Sequence, residues 1–244
     1  MEIRWTNRIS ADPYRRPIVF VSSTVYDKKD MLDHIRIQVQ NMNYDVRMSY
    51  AGTIPADSTE SAYQNCLDAV RDVDFFIGII SPSYGSGIIS RTGTSITHEE
   101  MRLARELKLP RLMLVDERVK VLSDFLNHLG FRGEKGHAEF RSLVEHYFSA
   151  DVKPFKAASK ICDMRSVDLY DEMLLGEDAE TGKSAEDRKG NWIQEFRTIG
   201  EFKRFISTQF SYLQVMESFE GLREASERIK GHLPGVKYKG DRKC

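Results

Sequence analysis

Residues Asp74–Asp116 read DFFIGIISPSYGSGIISRTGTSITHEEMRLARELKLPRLMLVD, and this stretch decides the fold. The apolar run Phe75–Ile80 is followed by a Pro/Gly/Ser loop, a charged helical pattern and a second apolar run, Leu112–Val115. Strand, loop, helix, strand is the βαβ unit of a parallel sheet. Ligands of such sheets gather beyond the carboxyl ends of the strands. The loop Ser81–Ser95 lies at such an end, and Ser95-Ile96-Thr97-His98-Glu99-Glu100 opens the helix with two carboxylates beside it. Half of any active site is expected here.

Upstream, Pro17–Val21 is a short β-branched apolar run that predicts a central buried strand. Ser22–Asp27 is a hydroxyl-rich loop whose Asp27 can cap the next helix. Met31, Leu32, Ile35, Val39 and Met42 mark one helical face, which Asn43 ends, and Tyr44–Met48 reads as a weaker second strand. After the turn-rich Ser49–Asp57, the pair Asp57 and Glu60 resembles a capping box. The helix it opens would bury Ala62, Tyr63, Cys66, Val70 and Val73, and Asp74–Ile80 would be the third strand. The order β-α-β-α-β-α-β with short connections predicts a flavodoxin-like, doubly wound α/β sheet with right-handed crossovers.

Downstream of Asp116 the rhythm changes. Val119, Leu122, Phe125, Leu126 and Leu129 predict a helix, Gly130–Gly136 a break, and Phe140, Leu143, Val144, Tyr147 and Phe148 a second helix. Val167–Leu175 predicts a third. Gly176–Gly190 has almost no apolar residue and reads as a surface loop. Its Gly182-Lys183-Ser184 is no phosphate loop, because position 177 is Glu177 rather than glycine and no strand precedes it. Asn191–Phe196 predicts a last strand. Ile199, Phe202, Phe205, Ile206, Phe210, Leu213 and Met216 form a long amphipathic stripe, with Leu222 and Ile229 in line beyond it. Such a stripe is a packing face or, in the sharper reading, a dimer or partner surface. The chain divides into an arm (1–16), an α/β domain (17–216) and a basic tail (217–244).

Lys+Arg 36 against Asp+Glu 37 gives a formal net charge of -1, which excludes a global basic footprint for nucleic acid. No apolar run approaches the ~20 residues that span a bilayer. The N-terminal MEIRWTNRISADPYRRP lacks the apolar core of a signal peptide, so a cytoplasmic protein is expected. Cys66, Cys162 and Cys244 are odd in number and lack metal-like spacing. His98 reads as a lone surface residue, and His128, His137 and His146 show no zinc-like pairing, so no metal is expected.

Several of these residues together resemble a known family. Phe20-Val21-Ser22-Ser23-Thr24, with Asp27 opening a helix, resembles the start of a bacterial domain family with an F-V-S-S-T signature. That family is placed in the TIR-like superfamily beside the nucleoside deoxyribosyltransferases. Asp74–Ile80 resembles its D-x-hydrophobic strand, and Ser83-Tyr84-Gly85-Ser86 its R-Y-G-S turn with Ser83 in place of arginine. Ser95–Glu100, followed by Ala104 and Pro110, resembles its S-I-T-x-x-E helix and K-P-V strand start. Phe196-Arg197 with Glu201-Phe202 is similar to its final strand and helix. The segment 117–190 departs from the pattern as an insertion: a lid, an oligomer contact or a partner site.

The resemblance implies cleavage of an N-glycosidic bond next to a ribose, by a glutamate on the helix after the third strand. Glu100, Ala104 and Pro110 keep the transferase spacing, so Glu100 is the expected catalytic residue and Glu99 the fallback. A fixed carboxylate can stabilise an oxocarbenium-like sugar or attack it. NAD would be substrate rather than cofactor, and its cationic nicotinamide leaves without a general acid. Ser22, Ser23 and Thr24 would hold phosphate or ribose, Tyr26 and Tyr84 would stack on a base, and Ser81, Ser83 and Ser95 would line the same edge. Taken alone, acids in a first helical turn are explained by the helix dipole, and Ser22–Asp27 by capping. The expected activity is an NAD-directed N-glycosidase or ADP-ribosyl cyclase, making a nucleotide signal in antiphage defence. The alternatives are a non-enzymatic adaptor that acts by assembly and a nucleoside deoxyribosyltransferase or nucleotide N-glycosidase. The last is weakened by Ser95-Ile96-Thr97 where the transferases carry Asp-x-Gly. A homo-oligomer or partner protein would dock on the Ile199–Met216 helix.

Overall fold

A computed structural model of the chain describes residues 15–24, 29–85, 87–147, 162–175 and 192–214. Its strands are β1 (Ile18–Ser23), β2 (Asp45–Arg47), β3 (Phe75–Ile80), β4 (Arg111–Asp116) and β5 (Ile193–Phe196). All pair in parallel in the order β2-β1-β3-β4-β5. The helices are α1 (Lys29–Asn41), α2 (Ala62–Arg71), α3 (Ile96–Glu106), α4 (Glu117–His128), α5 (Gly133–Tyr147) and α6 (Met164–Leu175), with α7 over 199–214. This is the flavodoxin-like, doubly wound arrangement that the alternating pattern predicts.

Both faces of the sheet are apolar, which is why its central strands read as continuous hydrophobic runs. Phe20, Phe76, Ile80, Met113 and Val115 face α2, α3, α4 and α6 in one core. Val19, Val21, Phe75, Ile77, Ile79 and Leu114 face α1 and α7 in the other. Gly78 has no side chain because Met113 of the neighbouring strand fills the space, its sulfur 2.6 Å from where a Cβ would sit.

The α7 stripe belongs to the second core. Phe202, Ile206 and Phe210 are fully buried, and Phe205 and Leu213 pack beside them. Phe210 meets Tyr44 edge-on at 5.0 Å and Phe75 at 5.3 Å. Gln38 of α1 donates to the Lys203 carbonyl (2.9 Å), and Gln214 to that of Met42 (2.7 Å). The residues expected to face a partner are therefore taken up within the chain, apart from the exposed Ile199 and from Met216, which lies outside the described residues.

Several local expectations need correction. The second helix is capped by Ser61, whose hydroxyl accepts from the Gln64 amide, and not by Asp57. Asp57 instead accepts from the amide and hydroxyl of Thr59, a turn that competes with capping. Ala62 is exposed, and Leu67 and Ala69 are buried in its place. Gly133 and Gly136 lie inside α5, so the predicted break shrinks to the few residues around Gly130, which takes φ 92°. The described residues of 117–175 pack on the sheet: Val119, Leu126, Val167, Leu169 and Met173 are buried in its core. Asp27, the 176–190 loop with its Gly182-Lys183-Ser184, and the basic tail lie outside the described residues. No helix among the described residues is long and apolar enough to cross a membrane.

Candidate functional site

The chain runs from β1 outward to β2, then back across to β3, so its connections diverge between β1 and β3. In doubly wound sheets the crevice at such a reversal receives the ligand. The carboxyl ends that flank it are Ser22-Ser23-Thr24 and Ile80-Ser81. The hydroxyls of Thr24 and Ser81 are 2.8 Å apart, and the Ser81 amide donates to Thr24 Oγ1 at 2.9 Å. Ser83 is exposed next to them, its carbonyl accepting from the Ser81 hydroxyl at 3.2 Å.

Helix α3 begins over this edge. Ser95 is its cap, its hydroxyl accepting from the His98 amide. Thr97 Oγ1 donates to the Ser23 carbonyl at 3.3 Å, and Ser22 Oγ donates to Glu100 Oε2 at 2.5 Å. Ser22 thus meets Glu100 and Thr24 meets Ser81 at this edge, with Ser23 held by Thr97, whereas Ser95 caps the helix and contacts Tyr84 and His98. Tyr26 lies outside the described residues.

Glu100 is only 4% exposed. Burial pushes its carboxyl up to about 7, against the Ser22 hydroxyl and the Cys66 thiol, whose hydrogen bonds lower it. Burial and the neighbouring Glu100 charge in turn push the Cys66 thiol up to about 12, which keeps it protonated and unreactive. A carboxyl at about 7 in the fold and near 4.5 when unfolded stabilises the protein below pH about 4.5 and loses that contribution as pH rises to about 7. The loss amounts to about 3 kcal/mol. Glu100→Gln cannot ionise, so its melting temperature is expected to rise relative to the native chain between pH 5 and pH 8. Parallel melting curves across that range would exclude the burial argument.

Glu99 sits on a different flank of α3. It accepts from the Thr94 hydroxyl (2.6 Å) and from Arg102 Nη1 (2.9 Å). On that flank His98 is buried, contrary to its surface reading. The Ser95 amide donates to Tyr84 Oη at 3.3 Å, Tyr84 Oη lies 2.6 Å from His98 Nδ1, and His98 Nε2 lies 2.8 Å from Glu172. Every donor in this chain meets an acceptor when the His98 proton is on Nε2. The Tyr84 ring, expected to stack on a base, is covered by the Arg165 guanidinium 4.6 Å above it.

Glu172 of α6 also accepts from Arg102 (2.7 and 2.8 Å) and Arg105 (3.0 Å). Burial pushes its carboxyl up, but the hydrogen bonds from His98 and Arg102 outweigh that and hold it well below the usual carboxylate range. The Glu172 clamp was not legible in the sequence. His98, Arg102 and Arg105 share a helical face, but their common partner is about 70 residues away. Glu172→Ala removes the carboxylate shared by two half-buried guanidinium groups, leaving Arg102 with Glu99 and Arg105 with the main-chain carbonyl of residue 172, and is expected to cost about 1–3 kcal/mol in urea denaturation. A loss below about 0.5 kcal/mol would make the clamp a surface ornament.

A cleft of about 530 Å³ opens beside this clamp, between α3, the Thr92–Thr94 turn, α5 and α6. Glu100 is not among the residues that line it, because Glu100 and His98 leave α3 on nearly opposite sides.

No curated protein matches the chain. Residues 18–168, more than half of the chain, match the sequence profile of a domain of unknown function, DUF4062, from β1 through most of the segment read as an insertion, and the chain belongs to that family.

Proposed function

We propose that the edge between β1 and β3 is the site of an N-glycosidase or ADP-ribosyl cyclase acting on NAD or a related nucleotide, with Glu100 as the reacting carboxylate. The observation that carries this reading is a buried carboxyl, raised to about 7, held by a strand-end hydroxyl where the chain reverses. Perturbed acids at such reversals mark sites of chemistry. The bond from the ribose anomeric carbon to the nicotinamide nitrogen breaks, and its electron pair leaves with nicotinamide, which becomes neutral. Ionised Glu100 stabilises the resulting sugar cation or bonds to it, and water or the adenine ring completes the transfer. Ser22 fixes one carboxylate oxygen, and Thr24 and Ser81 supply hydroxyls to the same edge.

A ligand reaches Glu100 only if the first turn of α3 parts from β1, to which Ser22 and Thr97 bind it. Release of nicotinamide is therefore expected to be slow. The same burial favours a second reading, a non-enzymatic adaptor in which Glu100 is a neutral structural acid. Incubation with NAD at low and high protein concentration, with nicotinamide and product masses followed by chromatography, separates the two. Nicotinamide release lost in Glu100→Ala supports the enzyme, and product mass distinguishes hydrolase from cyclase. No release at any concentration supports the adaptor. Free base from deoxynucleotides with NAD untouched would make the protein a deoxyribosyltransferase-like enzyme.

A further inference from the structure

The cleft between α3, α5 and α6 is lined by charges of both signs: Arg141 and Glu134 come from α5, and Arg165, Asp168 and Asp171 from α6. The arginines nearby differ in how far they are satisfied. Arg102 spends three nitrogens on Glu172 and Glu99, so it is part of the clamp. Arg165, which also lines the cleft, is chelated by Asp163 through Nε and Nη2, so Nη1 is not spent on that carboxylate, and its side chain is half exposed. Among the described residues Arg141 makes one hydrogen bond, at 3.4 Å to Asp168, and acts on Asp163 only through its charge, which leaves most of its five donors for another group.

The carboxylates of the cleft are not grouped as cation ligands. Among the described residues no group of three or more His, Cys, Asp or Glu side chains is arranged to hold a metal. Asp168 is held by His137 Nδ1 at 2.6 Å, and Asp171 accepts from the Ser123 hydroxyl at 2.7 Å. Behind them His137 is fully buried with Nε2 unpartnered, 3.5 Å from Asp171. The acids are thus anchored in place and still offer oxygen lone pairs to the cleft.

We infer that this cleft binds a small phosphate ester with free hydroxyls, such as a nucleotide or sugar phosphate. Spare guanidinium N–H groups suit phosphate oxygens in bidentate geometry. Anchored carboxylates accept from ribose or sugar hydroxyls, which an inorganic ion lacks. The volume is in the range of small-molecule sites. The inference does not depend on Glu100 being catalytic, since the two places lie on different flanks of α3.

The test is calorimetric titration of the full chain with ribose 5-phosphate, AMP, ribose and inorganic phosphate. At least one ester is expected to bind with Kd below about 1 mM, more weakly as salt rises, with ribose silent. Tighter AMP points to a nucleotide, and equal affinity to a sugar phosphate. Arg141→Ala and Arg165→Ala should each weaken binding roughly tenfold, with Arg141→Lys intermediate. Circular dichroism controls for folding, and Arg141→Lys keeps the charge should an alanine variant unfold. Failure of both esters to bind below about 10 mM, or affinity unchanged in both alanine variants, would overturn the inference. So would inorganic phosphate binding as tightly as the esters, because the cleft's carboxylates would then have no role.

Discussion

Glu100→Ala is expected to lower nicotinamide release from NAD by roughly 10³-fold or more, while Glu99→Ala keeps it within about tenfold. The asymmetry follows from where the two adjacent acids go. Glu100 turns toward Ser22 at the end of β1, and Glu99 toward Thr94 and Arg102 on the outside of α3. The pH profile carries a second signature. In the proposed chemistry the reacting form of Glu100 is the ionised one, and burial pushes its carboxyl up to about 7. Activity should therefore rise from about pH 6 to about pH 8 with a midpoint near 7, where an ordinary carboxylate would already be saturated. A profile flat over that range, or equal losses in the two alanine variants, would remove Glu100 from the chemistry.

Phe210→Ala is expected to destabilise the chain by about 3–5 kcal/mol in urea denaturation. The ring is fully buried between Tyr44 and Phe75, so its removal leaves a cavity between α7 and the sheet. Were the α7 stripe a partner surface, the same change would leave stability intact and remove only assembly. Tyr212, on the same helix and 62% exposed, is the control: Tyr212→Ala should shift stability by no more than about 0.5 kcal/mol. An assembly defect in Tyr212→Ala with normal stability would place any contact between chains on the outer side of α7.

What the sequence by itself determined is what repeats locally. The apolar runs Pro17–Val21, Phe75–Ile80 and Leu112–Val115 specify buried parallel strands, and the stripes of α1 and α7 specify helices against them. Strand, helix and strand in alternation then leave few topologies, and the observed order is among them. The grouping of Ser22, Thr24, Ser81 and Glu100 was legible for the same reason, since every strand of a parallel sheet ends on one edge. Capping was less so, because Asp57 and Ser61 compete within one short loop.

Tertiary structure alone decided which way each side chain leaves α3. Glu100 is driven under β1 to a carboxyl near 7, and His98 is buried because Tyr84 and Glu172 satisfy both its ring nitrogens. It also decided that the α7 stripe is core and that α4, α5 and α6 form a wall with a polar cleft. The physical reason is range. Periodicity is set by neighbours three or four positions away, whereas burial and ion pairing join residues about 70 positions apart and exist only once the sheet has brought them together.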